Sequence, residues 1–359
     1  MTQPLFDEAP SGGHAPVEAV APSEELLRLG RHLAQGVYLG TSSWSFPGWR
    51  GLVYEDEHTE ARLARDGLPA YSRHPLLRAV GVDRGYYQAL GAGEWARYAH
   101  QVPEHFRFVV KAPSMITDAV SRATDHGDHA RHGAHAAEPN PRFLDASFAT
   151  ERFVLPAIEG LGSKLGVLVL QFAPMPSGIT RDTHALIGRL AEFLSRLPRS
   201  HAGATPVYAV ELRNPELLTP RLVNGLRDAG ARLCVGIHAR MPGAARQAAA
   251  LRSMDAAATP ATAPAAGTPA DAWKLAGPLV VRWNLRAGMR YEQARSHYAP
   301  FDRLVDADLV TRGTLVHLIR VALRSHQPAY VIVNNKAEGC APASCVELAR
   351  ALLDRPPAD

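Results

Sequence analysis

The strongest constraint on this chain is an alternation that repeats eight times. Short apolar runs rich in β-branched residues occur at 37–41 (VYLGT), 79–83 (AVGVD), 107–111 (RFVVK), 166–171 (GVLVLQ), 207–211 (VYAVE), 232–237 (RLCVGI), 279–283 (LVVRW) and 329–333 (AYVIV). Most are continuously apolar, as in strands buried on both faces of a parallel sheet. Segments of helical periodicity lie between them. Residues 219–229 begin with Thr219 as N-cap and Pro220 at the first helical position, and stop before Gly230. Residues 180–197 set Leu186, Leu190, Phe193, Leu194 and Leu197 along one stripe, and 342–353 read as the last helix. Eight strands alternating with helices predict an α/β fold, a TIM (β/α)8 barrel, over a doubly wound open sheet. No G-x-G-x-x-G follows any strand, so the chain shows no nucleotide cofactor motif.

Length bears on this reading. At about 150 residues per domain, 359 residues would suggest two domains, but a barrel takes up the stretch 31–355 as a single domain. Residues 1–30, rich in Pro, Ala, Gly and Glu, read as a mobile tail with a short helix around 23–35. Two inserts break the rhythm: His-rich 121–141 after the third strand, and 241–277 after the sixth, which contains AAATPATAPAAGTPA. Each follows a strand, so both are expected on the C-terminal face of the barrel, the alanine- and proline-rich stretch of the second as a flexible flap or as simply disordered chain.

Composition excludes some classes. With 46% hydrophobic and 21% charged residues the chain has ample core. No apolar run reaches the ~18 residues of a membrane span. A net charge of +4 is too small to imply a nucleic-acid groove by itself. Cys234, Cys340 and Cys345 are too sparse for a disulfide framework, and the opening MTQPLFDEAPSGGHAP lacks a basic then apolar signal segment. Both point to a reducing cytoplasm. Of the 39 basic residues only Lys111, Lys164, Lys274 and Lys336 are lysine, which suggests that a compact ammonium matters where lysine is kept.

Residues just after barrel strands converge on one mouth. They are Thr41 to Trp44 after the first strand, Asp83 with Tyr86 and Tyr87 after the second, Lys111 after the third and Gln171 after the fourth. Glu211 and Arg213 follow the fifth, His238 and Arg240 the sixth, Arg282 to Asn284 the seventh, and Asn334, Asn335 and Lys336 the eighth. Cations outnumber carboxylates in this ring, so it suits a phosphate or carboxylate ligand. The helix start at Pro342 is a further candidate anion site. A structural alternative is that Glu211 simply pairs with Arg213 or Lys111 and orders the barrel top. Lys111 is also a conceivable Schiff-base lysine. A metal held by Asp83, Glu211 and His238 is possible but not favoured by so short a ligand set. The histidines of 126–135 are spaced by three, yet Gly127 and Gly133 oppose a helix there.

GTSSWSFPGWRG (40–51), FRFVVKAPSMITD (106–118), KLGVLVLQFAP (164–174), AVELRNPEL (209–217) and VNNKAEGCAP (333–342) stand in an order and spacing that resemble the domain of unknown function 72 family, the YecE-like proteins. The resemblance runs over about 37–353 and implies a TIM barrel without implying a reaction. It supports Trp44, Lys111, Gln171, Glu211, Arg213, Arg282, Asn334 and Asn335 as the mouth. Departures mark a divergent branch. Phe46 stands where the family often has tyrosine, Gly81 where it has glutamate, and Asn284 where it has histidine.

The leading expectation is therefore an enzyme acting on a small anionic substrate. Glu211, Lys111 and Asp83 would be its catalytic groups, with Trp44, Gln171, Arg213, His238, Arg282, Asn284, Asn334, Asn335 and Lys336 as substrate contacts. The alternatives are a nucleic-acid barrel stacking bases on Trp44, Trp49 and Trp283, which the small charge does not favour, and a non-catalytic scaffold.

Overall fold

This computed structural model describes residues 15–121, 138–256 and 273–354, and in them the eight apolar runs become eight parallel barrel strands. We label them β1 (Val37–Thr41), β2 (Leu77–Val82), β3 (Arg107–Lys111), β4 (Leu165–Gln171), β5 (Tyr208–Glu211), β6 (Arg232–Leu233 and Val235–Ile237, on either side of Cys234), β7 (Leu279–Trp283) and β8 (Ala329–Val333). Strands consecutive in sequence pair all the way round. β8 returns to β1, with Val37 opposite Ala329 and Thr41 opposite Val333. The ring closes at β6, where Arg232 and Leu233 pair with Ala209 and Val210 of β5, and Val235, Gly236 and Ile237 pair with Val281, Arg282 and Trp283 of β7. The chain is thus a single (β/α)8 barrel of the TIM type.

Strand side chains alternate, which sorts each strand into a helix-facing and an axis-facing set. On β5, Tyr208 and Val210 join the large core beneath the helices, while Ala209 packs with Val109, Val167, Val169, Cys234, Val280 and Ile332 along the axis. Each such buried aliphatic side chain contributes roughly 1.5–3 kcal/mol. At the N-terminal end of the strands, Tyr38 and Tyr330 stack at 5.0 Å, and the Arg107 guanidinium lies 5.4 Å from the Tyr38 ring centroid. The opposite end of the axis is polar and forms the mouth.

The helices follow local signals. Pro220–Asp228 starts where Thr219 Oγ1 accepts from the Leu222 amide, and Glu24–His32 starts where Ser23 Oγ accepts from Leu26. The stripe expected over 180–197 divides into Ser177–Thr180 and Thr183–Ser195, because Asp182 caps the second helix by accepting from the Ala185 amide. Lys164 Nζ donates to the Ala99 and Val102 carbonyls at 2.8 Å each, closing off the end of helix Ala92–His100.

Two expectations about the chain's margins change. Residues 15–30, read as part of a tail, pack on the barrel: Val17 and Leu29 are buried and Ala19 bridges to Tyr54. Residues 1–14 lie outside the described set. The 241–277 insert is in part a barrel helix, Ala244–Ala256, which buries Gln247, Leu251 and Met254. The alanine- and proline-rich stretch therefore follows a helix, not a strand. Its flanks meet at the N-terminal end of β6, where Asp255 accepts from Arg232 at 2.6 Å and from the Trp273 indole at 3.2 Å. That end is opposite the mouth, and the flap expected of the stretch lies outside the described residues. The stretch itself, 257–272, and the histidine tract, 122–137, are outside the described residues. Flanking the latter, Val120 pairs antiparallel with Pro139 and Ser121 with Glu138.

Candidate functional site

The centre of the mouth is Arg282. Its position near the end of β7 turns the side chain toward the axis, where it is 2% exposed. Nη1 donates to Glu211 Oε2 at 2.8 Å and to Gln171 Oε1 at 3.1 Å. Nη2 donates to both oxygens of Asp83, at 2.9 and 3.0 Å. A single guanidinium therefore ties together the ends of β2, β4, β5 and β7. Burial would lower its pKa, but Asp83 and Glu211 outweigh that and raise it, so it stays charged.

Glu211 is fully buried, and both of its oxygens are engaged. Oε1 lies 2.6 Å from Arg213 Nη2 and accepts from Asn284 Nδ2 at 3.1 Å, while Oε2 takes the bond from Arg282. Burial alone would raise its pKa; the guanidinia of Arg213 and Arg282 reverse this and hold it below the ordinary carboxylate value. Gly236 of β6 makes room for the side chain, since a Cβ there would stand 2.8 Å from Glu211 Cγ. The pairing of Glu211 with Arg213, foreseen as a structural alternative, is present, and Glu211 is a fixed negative charge in this arrangement.

Lys111 differs from these. It ends β3 and is 9% exposed. Its ammonium lies 3.6 Å from the centroid of the Tyr86 ring, whose hydroxyl donates to Asp118 Oδ2 at 2.8 Å. No carboxylate among the described residues comes within ion-pair distance of it. Burial is the main reason its pKa is lowered; Asp83 and Glu211 pull it back up, and Arg282 and Arg213 push it down. His238, at the end of β6, is pushed down to about 4, by burial first and then by Arg213, so it is neutral at neutral pH.

The structure places the remaining predicted residues less uniformly. Asn334 stays at the mouth, donating to Ser42 Oγ at 2.7 Å. Asn335 is fully buried, and its Oδ1 accepts from the Trp49 indole at 3.2 Å and from the Ala341 amide at 2.8 Å. Asn335 thereby takes up the first amide of the helix Ala341–Leu353, at the helix start expected to hold an anion. The Lys336 ammonium sits 4.4 Å from the Tyr291 ring centroid and 5.8 Å from that of Phe301, and no hydrogen bond or ion pair among the described residues joins it to the Glu211 cluster. Nothing in the sequence pointed to those two rings. Trp49 and Trp283 are completely buried, and Trp44 is 6% exposed with its indole donating to Leu63 O at 2.9 Å, so these rings offer no platform on which bases could stack. The three cysteines are buried and free.

Among the described residues no three His, Cys, Asp or Glu side chains are grouped to hold a metal ion; between Asp83 and Glu211 stands the Arg282 guanidinium. Nor is any described helix long and apolar enough to cross a membrane. One cavity, of about 160 Å³, opens beside the mouth and shares Ser42 and Asp83 with it. A larger one, about 390 Å³, lies on the flank between residues 19–29 and helix Ala341–Leu353; it is mainly apolar and has no mouth residue in its lining.

Fold and site together define a single-domain (β/α)8 barrel with a buried ion network at its mouth. Residues 38–358 match the family described as protein of unknown function DUF72, and the chain belongs to that family. It is similar to a solved DUF72 family protein from Thermotoga maritima MSB8, with 19% identity, a TM-score of 0.53, and coverage of 88% of this chain and 98% of that one. A second, from Enterococcus faecalis V583, shows 17% identity and a TM-score of 0.50 over 90% of this chain and 97% of that one. At such identities the likeness concerns the fold. No curated protein matches the chain.

Proposed function

We propose that this chain is an enzyme of the cytoplasm that binds a small phosphate- or carboxylate-bearing molecule at the barrel mouth and acts on it by acid/base chemistry. The observation that carries this reading is Lys111. Arg282 and Arg213 are committed to Asp83 and Glu211, so two guanidinia balance two carboxylates. Lys111 is then the cation left over, nearly buried and faced by an aromatic ring rather than by an acid. Holding an ammonium with no ion-pair partner among the described residues out of water is costly, and the more distant Asp83 and Glu211 and the ring face, the latter worth roughly 0.5–2 kcal/mol, offset only part of that cost. An anionic ligand would supply the missing charge. The Arg213 Nε–H, also without an acceptor among the described residues, offers a second donor in the same ring.

In this reading Glu211 fixes the two guanidinia and does not exchange protons, since both oxygens are taken. Asp83, whose side chain is 43% exposed, is the carboxylate able to take a substrate proton, and His238 is a neutral neighbour able to share in the transfer. The test is calorimetric titration of the full chain with inorganic phosphate and with simple carboxylates, repeated on Lys111→Met. Saturable binding that disappears in Lys111→Met is expected. Binding that survives the substitution unchanged, or no binding in either protein, would overturn the reading.

A further inference from the structure

The polar ring accounts for an anion, but not for the cavity of about 160 Å³ beside it. That space lies between the turn after β1 and the end of β2. Its walls carry the hydroxyls of Ser42, Ser43 and Ser45, the carboxylate of Asp83, and the rings of Trp44 and Tyr98 set edge to face at 5.4 Å. A volume near 150 Å³ accommodates roughly six heavy atoms, as benzene does in an apolar cavity of that size. Most of the surface lining this cavity is apolar, with the rings of Trp44 and Tyr98 among it, and Ser42, Ser43, Ser45, Asp83 and Arg84 add a smaller polar part.

Two local features keep it open. Residue 81 is glycine, and a Cβ there would already stand 3.1 Å from Ile332 Cγ2 and 3.3 Å from Ser42 Cα, so a longer side chain would have to extend into this space. Trp44 is held at the wall by its indole bond to Leu63 O and does not swing across. The hydroxyls are partly engaged with each other and the ring. Ser43 Oγ and Ser45 Oγ lie 3.1 Å apart, and Ser42 Oγ accepts from Asn334, leaving the Ser42 proton available to donate. Asp83 accepts only from Arg282 Nη2 among the described side chains, so each of its oxygens keeps lone-pair capacity.

We infer that this cavity is a substrate subsite for a short polyhydroxylated group, so that the ligand of the mouth is a polyol or sugar carrying a phosphate or carboxylate. Paired hydroxyl acceptors and donors, one carboxylate and a ring wall are the chemistry that recognises vicinal hydroxyls with their apolar C–H faces. The inference rests on the anion reading for the charged end of the ligand, while the subsite itself rests on the cavity.

The experiment compares inorganic phosphate, ethyl phosphate and erythritol 4-phosphate on the full chain and on Ala64→Phe, which puts a ring into the cavity from the Ala64 wall. In the unaltered chain the polyol phosphate is expected to bind at least about tenfold tighter than ethyl phosphate, the effect of one good hydrogen bond to a charged group. In Ala64→Phe that advantage vanishes while inorganic phosphate binds as before. Equal affinity for the two esters in the unaltered chain, or an advantage that persists in Ala64→Phe, overturns the subsite. If inorganic phosphate does not bind at all, the anion reading fails separately. The subsite is then read with free erythritol by the NMR shift of the Trp44 indole N–H: a saturable shift lost in Ala64→Phe upholds it, and an unmoved resonance overturns it.

Discussion

Arg282 donates to Glu211 across the strand that separates them: β7 reaches β5 at 2.8 Å over the bare backbone of Gly236 on β6. Buried ion pairs of this kind add little net stability compared with an apolar core, yet breaking one is expensive because a charge is left behind. Arg282→Met should therefore cost about 3–5 kcal/mol in chemical denaturation. Adding Glu211→Gln to it should recover a good part of that loss. If the double variant is as unstable as the sum of the two single variants, the pairing is not what sets the cost.

Gly236 carries a second expectation. Its substitution by alanine puts a methyl 2.8 Å from Glu211 Cγ, where the carboxylate is pinned by three donors and cannot step aside. The overpacking should destabilise by roughly 1–3 kcal/mol. Gly243 meets nothing within 4 Å of the same ideal Cβ and is the control. Its alanine variant should stay within about 0.5 kcal/mol of the parent. Thermal melts of the two variants that coincide would remove the steric argument.

The barrel was legible because its signals are local and redundant. Each strand is an apolar run, each mouth residue is the polar group that ends it, and strand-end residues of a closed parallel barrel have to converge. That is why Asp83, Lys111, Gln171, Glu211 and Arg282, far apart in sequence, could be named together. Their partnerships were not legible, since they depend on which side chain reaches across the axis. Arg282 looked available to a ligand, and both of its terminal nitrogens are in fact held by the protein's own acceptors. Asn335 looked like its neighbour Asn334, but alternate residues leave a strand in opposite directions, and it points into the core to cap a helix. Helix Ala244–Ala256 was hidden for a compositional reason: its alanines run into the alanine-rich stretch that follows, and only Leu251 and Met254 mark the buried face.

Lys111→Met separates stability from binding. An ammonium with no ion-pair partner among the described residues is replaced by an apolar chain of similar length that can still lie on the Tyr86 ring. Unfolding stability should be unchanged or higher by up to about 1 kcal/mol, while anion binding is lost. Lys111→Arg should not restore binding fully, because a planar guanidinium does not match a compact ammonium in a closed site. A Lys111→Met variant destabilised by several kcal/mol would mean that the lysine has a structural partner and would count against the anion site.

The response to acid should begin with half-buried histidines that the fold holds neutral, and not with the ion network. His74 is pushed down to about 4 by burial, against 6.5 for the free side chain, and it is neutral in the folded chain, where its Nδ1 accepts from the Leu76 amide at 3.3 Å. Between pH 6.5 and 4 the unfolded chain binds this proton and the folded chain does not, so its contribution is fully present above 6.5 and is lost as the pH falls toward 4. The loss is at most roughly 3 kcal/mol. His238, depressed in the same direction, adds a smaller loss in the same window, being more open to water. Glu211, whose folded value is depressed, keeps its contribution above the ordinary carboxylate pKa and gives it up only as the pH falls through that lower value. His74→Asn keeps an acceptor for Leu76 and removes the titration. Its melting temperature should therefore fall less than that of the parent chain between pH 6.5 and 4, and the two should run parallel above 6.5. Melting curves that track each other through the whole acid range would show that His74 is not the group responsible.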